Sequence, residues 1–331
     1  MAVALHETVS DAGGTASVPV IDLQPALAGA AAERKQVARE IADACKTLGF
    51  FYIAGHAVPD DLIGRHFEIA EQFFALPIDE KMRIDGTKSG AMRGYEPVAA
   101  QTLDVGTAPD LKEGYQMGME VTEDHRWFKA GMGKTAINLW PERPEGFRDH
   151  FEAYSEQMIG LARELMQLIS LSLDLPEDYF DKPMETPMLE TRILHYPPKP
   201  AGAPKGQLGA GAHTDWGMLT LLLQNDVGGL EVAGPDGGWI PAPPVPGTFV
   251  VNMGDMVPIM TNGLYKSNSH RVQSNTSGRD RYSAPTFVDP DYETRIACVP
   301  SCMPASGEPL YPATNIGDHV QAMFDKTYGK G

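Results

Sequence analysis

Three cysteines in 331 residues, Cys45, Cys298 and Cys302, are too few for a disulfide framework. Cys298 and Cys302 lie near each other, but no second Cys pair or His pair completes a zinc site, so all three read as small buried apolar residues in a reducing compartment. No uncharged apolar run reaches about 18 residues, so no membrane span is expected. The opening stretch has neither a basic start nor an apolar stretch behind it, and reads as a frayed terminus on a cytoplasmic protein. Positive charge is in deficit: Lys and Arg number 27 against 44 Asp and Glu, a formal charge of −17. Such a surface repels phosphate backbones, which disfavours a nucleic-acid partner and favours a small molecule. Two familiar enzyme signatures are missing too. Gly209-Ala-Gly211 begins a dinucleotide fingerprint that Thr214 breaks, and no Gly-x-Ser-x-Gly exists.

What remains is an ordinary globular composition, 42% apolar and 21% charged. Val18–Leu23 reads as a short strand. Val37, Ile41 and Cys45 recur at helical spacing over 32–48, and Gly49 ends that pattern. Phe50–Ile53 reads as a buried strand. A helix with Asp60 as its cap turns Leu62, Ile63, Phe67, Ala70, Phe73 and Phe74 inward and stops before Pro77. Residues 83–140 predict loops and short strands, and a long helix is predicted over about 145–173. From Glu190 onward, short apolar runs (192–196, 217–223, 248–252, 282–288 and 295–299) alternate with Pro-Pro and Gly-Gly turns, as in a sandwich or barrel. A last helix is predicted over roughly 316–328.

The chemistry concentrates at His213-Thr-Asp215 and His270. On a strand, residues two apart share a face at roughly 6.5–7 Å, so both side chains can reach one ion. A second imidazole from another strand would complete two nitrogens and one carboxylate, leaving the remaining positions open, an arrangement that suits Fe(II). His66-Phe-Glu68 has the same spacing but falls in the helix after Asp60. There, residues two apart diverge by about 200° and cannot share a metal. Shortly after His270 comes Arg281-Tyr-Ser283, a guanidinium and a hydroxyl on one strand face, suited to grip a carboxylate.

In this order, His213-Thr-Asp215, His270-Arg-Val272 and Arg281-Tyr-Ser283 resemble the isopenicillin N synthase-like family of Fe(II)/2-oxoglutarate-dependent dioxygenases. Val18-Pro-Val-Ile-Asp22, Leu48-Gly-Phe-Phe51, Arg93-Gly-Tyr95, Asp110-Leu-Lys-Glu113 and Asn252-Met-Gly-Asp255 extend the likeness over roughly 17–328. The resemblance implies a mainly β fold with flanking helices, built on a double-stranded β-helix (jelly-roll) core. The expected organisation is a flexible terminus at 1–17, a helical and β region at 18–140, and a jelly-roll core with its C-terminal helix at 141–331, the last two forming one structural unit.

The resemblance also implies that His213, Asp215 and His270 hold Fe(II), with no catalytic side chain beyond the metal centre. Arg281 and Ser283 would take the far carboxylate of the co-substrate 2-oxoglutarate, and dioxygen would be the second co-substrate. Tyr196 stands where relatives place a Tyr that contacts the co-substrate, against the plainer reading of a buried Tyr with a satisfied hydroxyl. Plant relatives commonly carry Asn two residues earlier; here Leu194 removes that contact. For the substrate, Trp216 and Phe287 are candidates, against the plainer reading of Trp216 as a core aromatic. Asn252 and Asp255 read as turn-formers. A small-molecule substrate is expected, with no nucleic acid, membrane or obligate protein partner. Two alternatives stay open: an iron oxidase of the same family that does not use 2-oxoglutarate, and a non-catalytic metal-binding sensor.

Overall fold

Phe50-Phe-Tyr-Ile-Ala54 carries one polar side-chain atom, the Tyr52 hydroxyl, and all five residues are buried. A strand that is apolar on both faces must be covered on both. The computed structural model, which describes residues 17–88, 93–104, 106–132 and 136–328, shows what covers it. Apart from Ser17, the frayed terminus expected at 1–17 lies outside the described residues.

In chain order the strands are β1 (Val20–Asp22), β2 (Phe50–Ala54), β3 (Gly94–Glu96), β4 (Glu113–Gly118), β5 (Met188–Tyr196), β6 (Ala210–His213), β7 (Leu219–Gln224), β8 (Leu230–Ala233), β9 (Trp239–Pro241), β10 (Phe249–Met253), β11 (His270–Val272), β12 (Arg281–Asp289), β13 (Arg295–Ile296) and β14 (Thr314–Asn315). The α-helices are α1 (Gln24–Ala28), α2 (Ala31–Thr47), α3 (Asp60–Phe74), α4 (Ile78–Lys81), α5 (Phe147–Ser172), α6 (Met256–Met260) and α7 (Ile316–Tyr328). Eight strands form one sheet in the order β1-β2-β10-β7-β12-β5-β4-β3, and four form a second in the order β6-β11-β8-β9.

Parity along the strands separates two cores. Phe51, Ile53, Leu219, Leu221, Leu223, Val251 and Ala284 face the helices, packing with Ile41 of α2, Phe73 of α3 and Phe151 and Leu165 of α5. Their neighbours Phe50, Tyr52, Leu194, Tyr196 and Val250 face inward and meet Ala210, Leu230, Val232, Ile240 and Val272 of the smaller sheet. The Tyr52 hydroxyl is satisfied by the Pro243 carbonyl at 2.6 Å. The result is a jelly roll backed by helices, the architecture the sequence suggests. The turn from α2 into β2 needs Gly49: its φ is +68°, and a Cβ there would lie 2.1 Å from the Lys266 carbonyl oxygen.

Some local expectations are corrected. Asp60 is the first residue of α3, not its cap; Pro59 stands at the cap position, with no side-chain hydrogen bond. Within α3, His66 and Ile69 are buried, whereas Leu62, Ile63 and Phe67 are only partly so. Cys45 is buried, but Cys298 and Cys302 are half-buried. Among the described residues, no helix is long and apolar enough to cross a membrane.

The helix-side face also holds a buried charged cluster. Glu113 accepts from Lys81 Nζ at 2.7 Å, the Tyr95 hydroxyl at 2.5 Å and His195 Nδ1 at 2.7 Å, while His195 Nε2 meets Asp280 Oδ1 at 2.9 Å. Burial favours a neutral His195, but Glu113 and Asp280 outweigh it and raise its pKa above the ordinary value. Burial likewise opposes the Glu113 charge, and its three donors overcome that and lower its pKa. A raised histidine contributes stability that is complete below its unfolded pKa of about 6.5 and is lost as pH rises through the folded value. Melting temperature should therefore fall as pH rises above about 6.5 more steeply in the unsubstituted protein than in His195→Gln. Thermal melts across that range check this, and parallel curves would contradict it.

Candidate metal centre

β6 ends on His213 and β11 begins on His270. Their antiparallel pairing sets these two residues directly opposite each other, with ring centroids 4.3 Å apart. Asp215 is not on the strand with His213, contrary to the strand-spacing expectation, because β6 stops at His213. The chain leaves the strand at Thr214, bends over 216–218 and is tied to the corner after β10. Asp255 N–H donates to the Asp215 carbonyl at 2.8 Å, Gly254 N–H to the Met218 carbonyl at 2.9 Å, and the Thr214 hydroxyl to the Asp255 carboxylate at 3.0 Å.

This path brings the Asp215 carboxylate to both imidazoles. Oδ1 lies 3.9 Å from His213 Nε2 and 3.7 Å from His270 Nε2. One ligand atom from each residue lies within 4.8 Å of the others, and among the described residues no other group of His, Cys, Asp or Glu converges on one point in this way.

The surroundings orient each donor. Asp215 Oδ2 accepts from the Thr220 hydroxyl at 2.5 Å and from Asn252 Nδ2 at 2.7 Å, leaving Oδ1 toward the imidazoles. Thr220 and Asn252 are themselves paired across β7 and β10. His213 Nδ1 donates to the Gly211 carbonyl at 2.7 Å, and His270 Nδ1 points at the Asn268 carbonyl at 3.5 Å. Each ring is thereby turned with Nε2 toward the centre. Burial, reinforced by His270, depresses the His213 pKa to about 3 and keeps the ring neutral. Burial opposes ionisation of Asp215, but the imidazoles, Asn252 and Thr220 hold its carboxyl below the usual range. A neutral His213 imidazole beside an ionised Asp215 carboxylate is the protonation pattern a divalent cation requires.

The roles expected of Asn252 and Asp255 change. Asn252 sits inside β10 and donates to the metal-facing carboxylate instead of forming a turn. Asp255 does stand at the corner before α6, but its carboxylate also accepts from Ser267 at 2.6 Å, linking the Asp215 turn to the segment that leads into His270. A signal for Asn252 does exist in the sequence: an amide within an apolar run must find a buried partner. His66 is fully buried in α3 with Nδ1 3.0 Å from His150 Nε2, while the Glu68 side chain is 63% exposed, so that pair forms no site.

Arg281 and Ser283 lie on β12, on the sheet face that carries Tyr196 and Leu194 directly opposite them. Arg281 is 1% exposed. Its Nη2 donates to Gln224 Oε1 at 2.8 Å, its Nη1 lies 3.4 Å from Ser283 Oγ, and its guanidinium sits 4.6 Å from the Tyr196 ring centroid. Its Nε has no hydrogen-bond partner, and no ion pair joins it to a carboxylate among the described residues. An unbalanced buried cation is costly, and here it is one anion short. Leu194 is part of the apolar inner core and offers no polar contact.

Trp216 is half-buried and belongs to neither core. Its carbonyl accepts from His319 Nε2 at 2.8 Å, which ties α7 across this side. Phe287 is paired with Thr220, the donor to Asp215, and its ring centroid lies 5.9 Å from the Arg192 guanidinium. Beyond it Glu190 accepts from Arg192 at 3.3 Å and from Arg93 at 3.2 Å. Apolar patterning marks 192–196 only as a strand. The shared parity of Glu190, Arg192, Leu194 and Tyr196 is the available sign that charged groups enter the same interior.

Comparison with known proteins agrees with this geometry. The family model described as "non-haem dioxygenase in morphine synthesis N-terminal" matches residues 18–143, and that of the "2OG-Fe(II) oxygenase superfamily" matches 188–290. The 2-oxoglutarate-Fe(II) type oxidoreductase hxnY of Emericella nidulans is 39% identical over 317 residues, covering 94% of this chain and 90% of its own. A 1-aminocyclopropane-1-carboxylate oxidase of Dictyostelium discoideum is 35% identical, covering 95% of this chain and 92% of its own. Among solved structures, a full-length Neurospora crassa protein crystallised in complex with alpha-KG and thymine superposes with a TM-score of 0.84 at 30% identity, covering 94% of this chain and 97% of its own. Likeness of this extent, in sequence as in fold, means that the chain belongs to the 2OG-Fe(II) oxygenase superfamily and works with iron(II) and 2-oxoglutarate.

Proposed function

We propose that this oxygenase hydroxylates a small polar molecule, with Arg281, Ser283 and Tyr196 holding the 2-oxoglutarate and with Trp216 and Phe287 against the substrate. The observation that carries the reading is Arg281: a buried guanidinium with an unpartnered Nε and no carboxylate, in the interior that also holds Asp215. A dicarboxylate bound at the metal by one end would supply the missing anion with the other. The donor set fits iron, with two imidazoles and one carboxylate oxygen on one side and the other positions left to co-substrates.

Bound iron supplies the activation of dioxygen, so that substrate, dioxygen and 2-oxoglutarate become hydroxylated substrate, succinate and carbon dioxide. The chain's own contribution is placement. Thr220 and Asn252 occupy Asp215 Oδ2, so the carboxylate offers one oxygen and does not take a position a co-substrate needs. Gln224 and Ser283 hold the Arg281 fork over the Tyr196 ring. Phe287 and the Arg192–Glu190–Arg93 group present an aromatic face beside charge, which suits a polar substrate. The Neurospora crassa structure with thymine shows one relative holding a molecule of that size and polarity.

The oxidase reading has one observation in its favour, the Dictyostelium relative of that name. Succinate separates the two. In a screen of small metabolites with iron-loaded protein, succinate should accumulate one for one with oxygen uptake; substrate turnover without succinate would establish the oxidase. A non-catalytic sensor would consume no 2-oxoglutarate at all. His213→Ala and His270→Ala should each abolish iron-dependent consumption of 2-oxoglutarate with unchanged circular dichroism, and retained turnover in either would remove it from the centre. Arg281→Ala should raise the 2-oxoglutarate concentration for half-maximal rate by at least about thirty-fold, since truncating one side of such a pair costs about 2–5 kcal/mol. An unchanged requirement would show that Arg281 does not hold the co-substrate.

A further inference from the structure

β6 carries His213 yet is an edge strand, and its pairing with β11 shifts register between His270 and Val272. An edge strand with an irregular ladder on one side is poorly fixed unless something holds the other side. What lies there comes from the N-terminal half of the chain. Leu111 N–H donates to the Leu208 carbonyl at 2.9 Å, Gln207 Nε2 to the Pro109 carbonyl at 2.7 Å, and Gly211 N–H to Asp110 Oδ1 at 2.9 Å. The other Asp110 oxygen accepts from Lys112 Nζ at 3.1 Å, and Lys112 donates to Gln101 Oε1 at 2.7 Å. Asp110 is 1% and Lys112 4% exposed. The approach is close: a Cβ on Gly211 would lie 2.6 Å from the Asp104 nitrogen.

Gly211 is also the residue whose carbonyl orients His213 Nδ1. A buried ion pair is therefore connected to a metal-facing imidazole through Gly211 alone, Lys112–Asp110 to Gly211 to His213. If the strap only needed to adhere, apolar side chains would do so without the desolvation cost of an ion pair. A carboxylate on a backbone N–H gives a short, directional bond instead.

We propose that the Asp110–Lys112 pair is a positioning element for the metal centre, fixing Gly211 and through it the His213 ring. The proposal rests on the metal centre described above, but not on the identity of the substrate or the use of 2-oxoglutarate.

The test titrates Co(II) into metal-free protein by calorimetry and follows the visible Co(II) spectrum. Asp110→Ala should bind Co(II) about 10–100-fold more weakly and with an altered spectrum, the usual consequence of losing a group that orients a ligand. The double variant Asp110→Asn, Lys112→Met keeps an acceptor for Gly211 N–H without a stranded cation, and should return to within about threefold of the unsubstituted protein. His66→Leu, in the helix layer, serves as the control: it should lower the melting temperature and leave Co(II) affinity unchanged.

Full affinity in Asp110→Ala would overturn the proposal. So would a double variant as weak as Asp110→Ala, or an equal loss in His66→Leu, which would signal general loosening. If Asp110→Ala does not fold, Gly211→Ala pushes the strap off β6 at Asp104 and should show the same loss; unchanged affinity there would equally refute the idea. Failure of the unsubstituted protein to take up Co(II) would remove the centre itself, and this proposal with it.

Discussion

The two oxygens of the Asp215 carboxylate are given different work, and the rest of the molecule is arranged to keep them apart. Oδ2 is held by Thr220 and Asn252, which face each other across neighbouring strands of the large sheet. Oδ1 is thereby turned to His213 and His270, which face each other across two strands of the small sheet. A carboxylate bridging the two sheets in this way requires both registers to be correct at once. A slip of one residue in either sheet would turn its inward side chains outward and dissolve the centre. The apolar inner core, from Phe50 and Val250 to Val232 and Val272, is what clamps the sheets in that relation.

The same clamp explains how the interior tolerates charge. Asp215, Arg281, Asp110, Lys112 and Glu113 are all nearly inaccessible to water. Most carry their compensation with them: Asp110 has Lys112, and Glu113 has Lys81 and His195. Arg281 differs in having neutral partners, Gln224 and Ser283, in place of a carboxylate, and Asp215 differs in facing two imidazoles with one oxygen uncommitted. An uncompensated cation and a poised anion in one interior are the electrostatic complement of the occupants proposed for them, a dianionic co-substrate at one and a divalent metal at the other.

Much of this is legible from residues alone, and the limits are instructive. The metal donors are identifiable because a His-x-Asp, a distant His and an Arg-x-Ser in fixed order are rarely accidental, and because His66-Phe-Glu68 can be set aside on helical geometry. The route by which Asp215 reaches the centre is not legible. Strand spacing predicts one continuous strand, whereas the chain after His213 is held at Thr214 by Asp255, 41 positions further along the chain and invisible to local pattern. Asn252 escapes sequence reading for the same reason, since turn-forming propensity is local and the Asp215 carboxylate is not. Trp216 could be a core aromatic or a pocket residue on sequence grounds, and its place outside both cores speaks against the first. Asp110-Leu-Lys-Glu113 stands out as a motif, but its contact with β6 is not legible, because Asp110 and Gly211 are 101 positions apart.

The central claim is that one metal ion sits among His213, Asp215 and His270 with vacant positions opposite them. Diffraction at the iron absorption edge from crystals of iron-loaded protein tests it most directly. The account predicts a single anomalous peak about 2.0–2.2 Å from both Nε2 atoms and from Asp215 Oδ1, with no further protein ligand on the far side. A peak elsewhere, or a fourth protein side chain closing the coordination sphere, would contradict it.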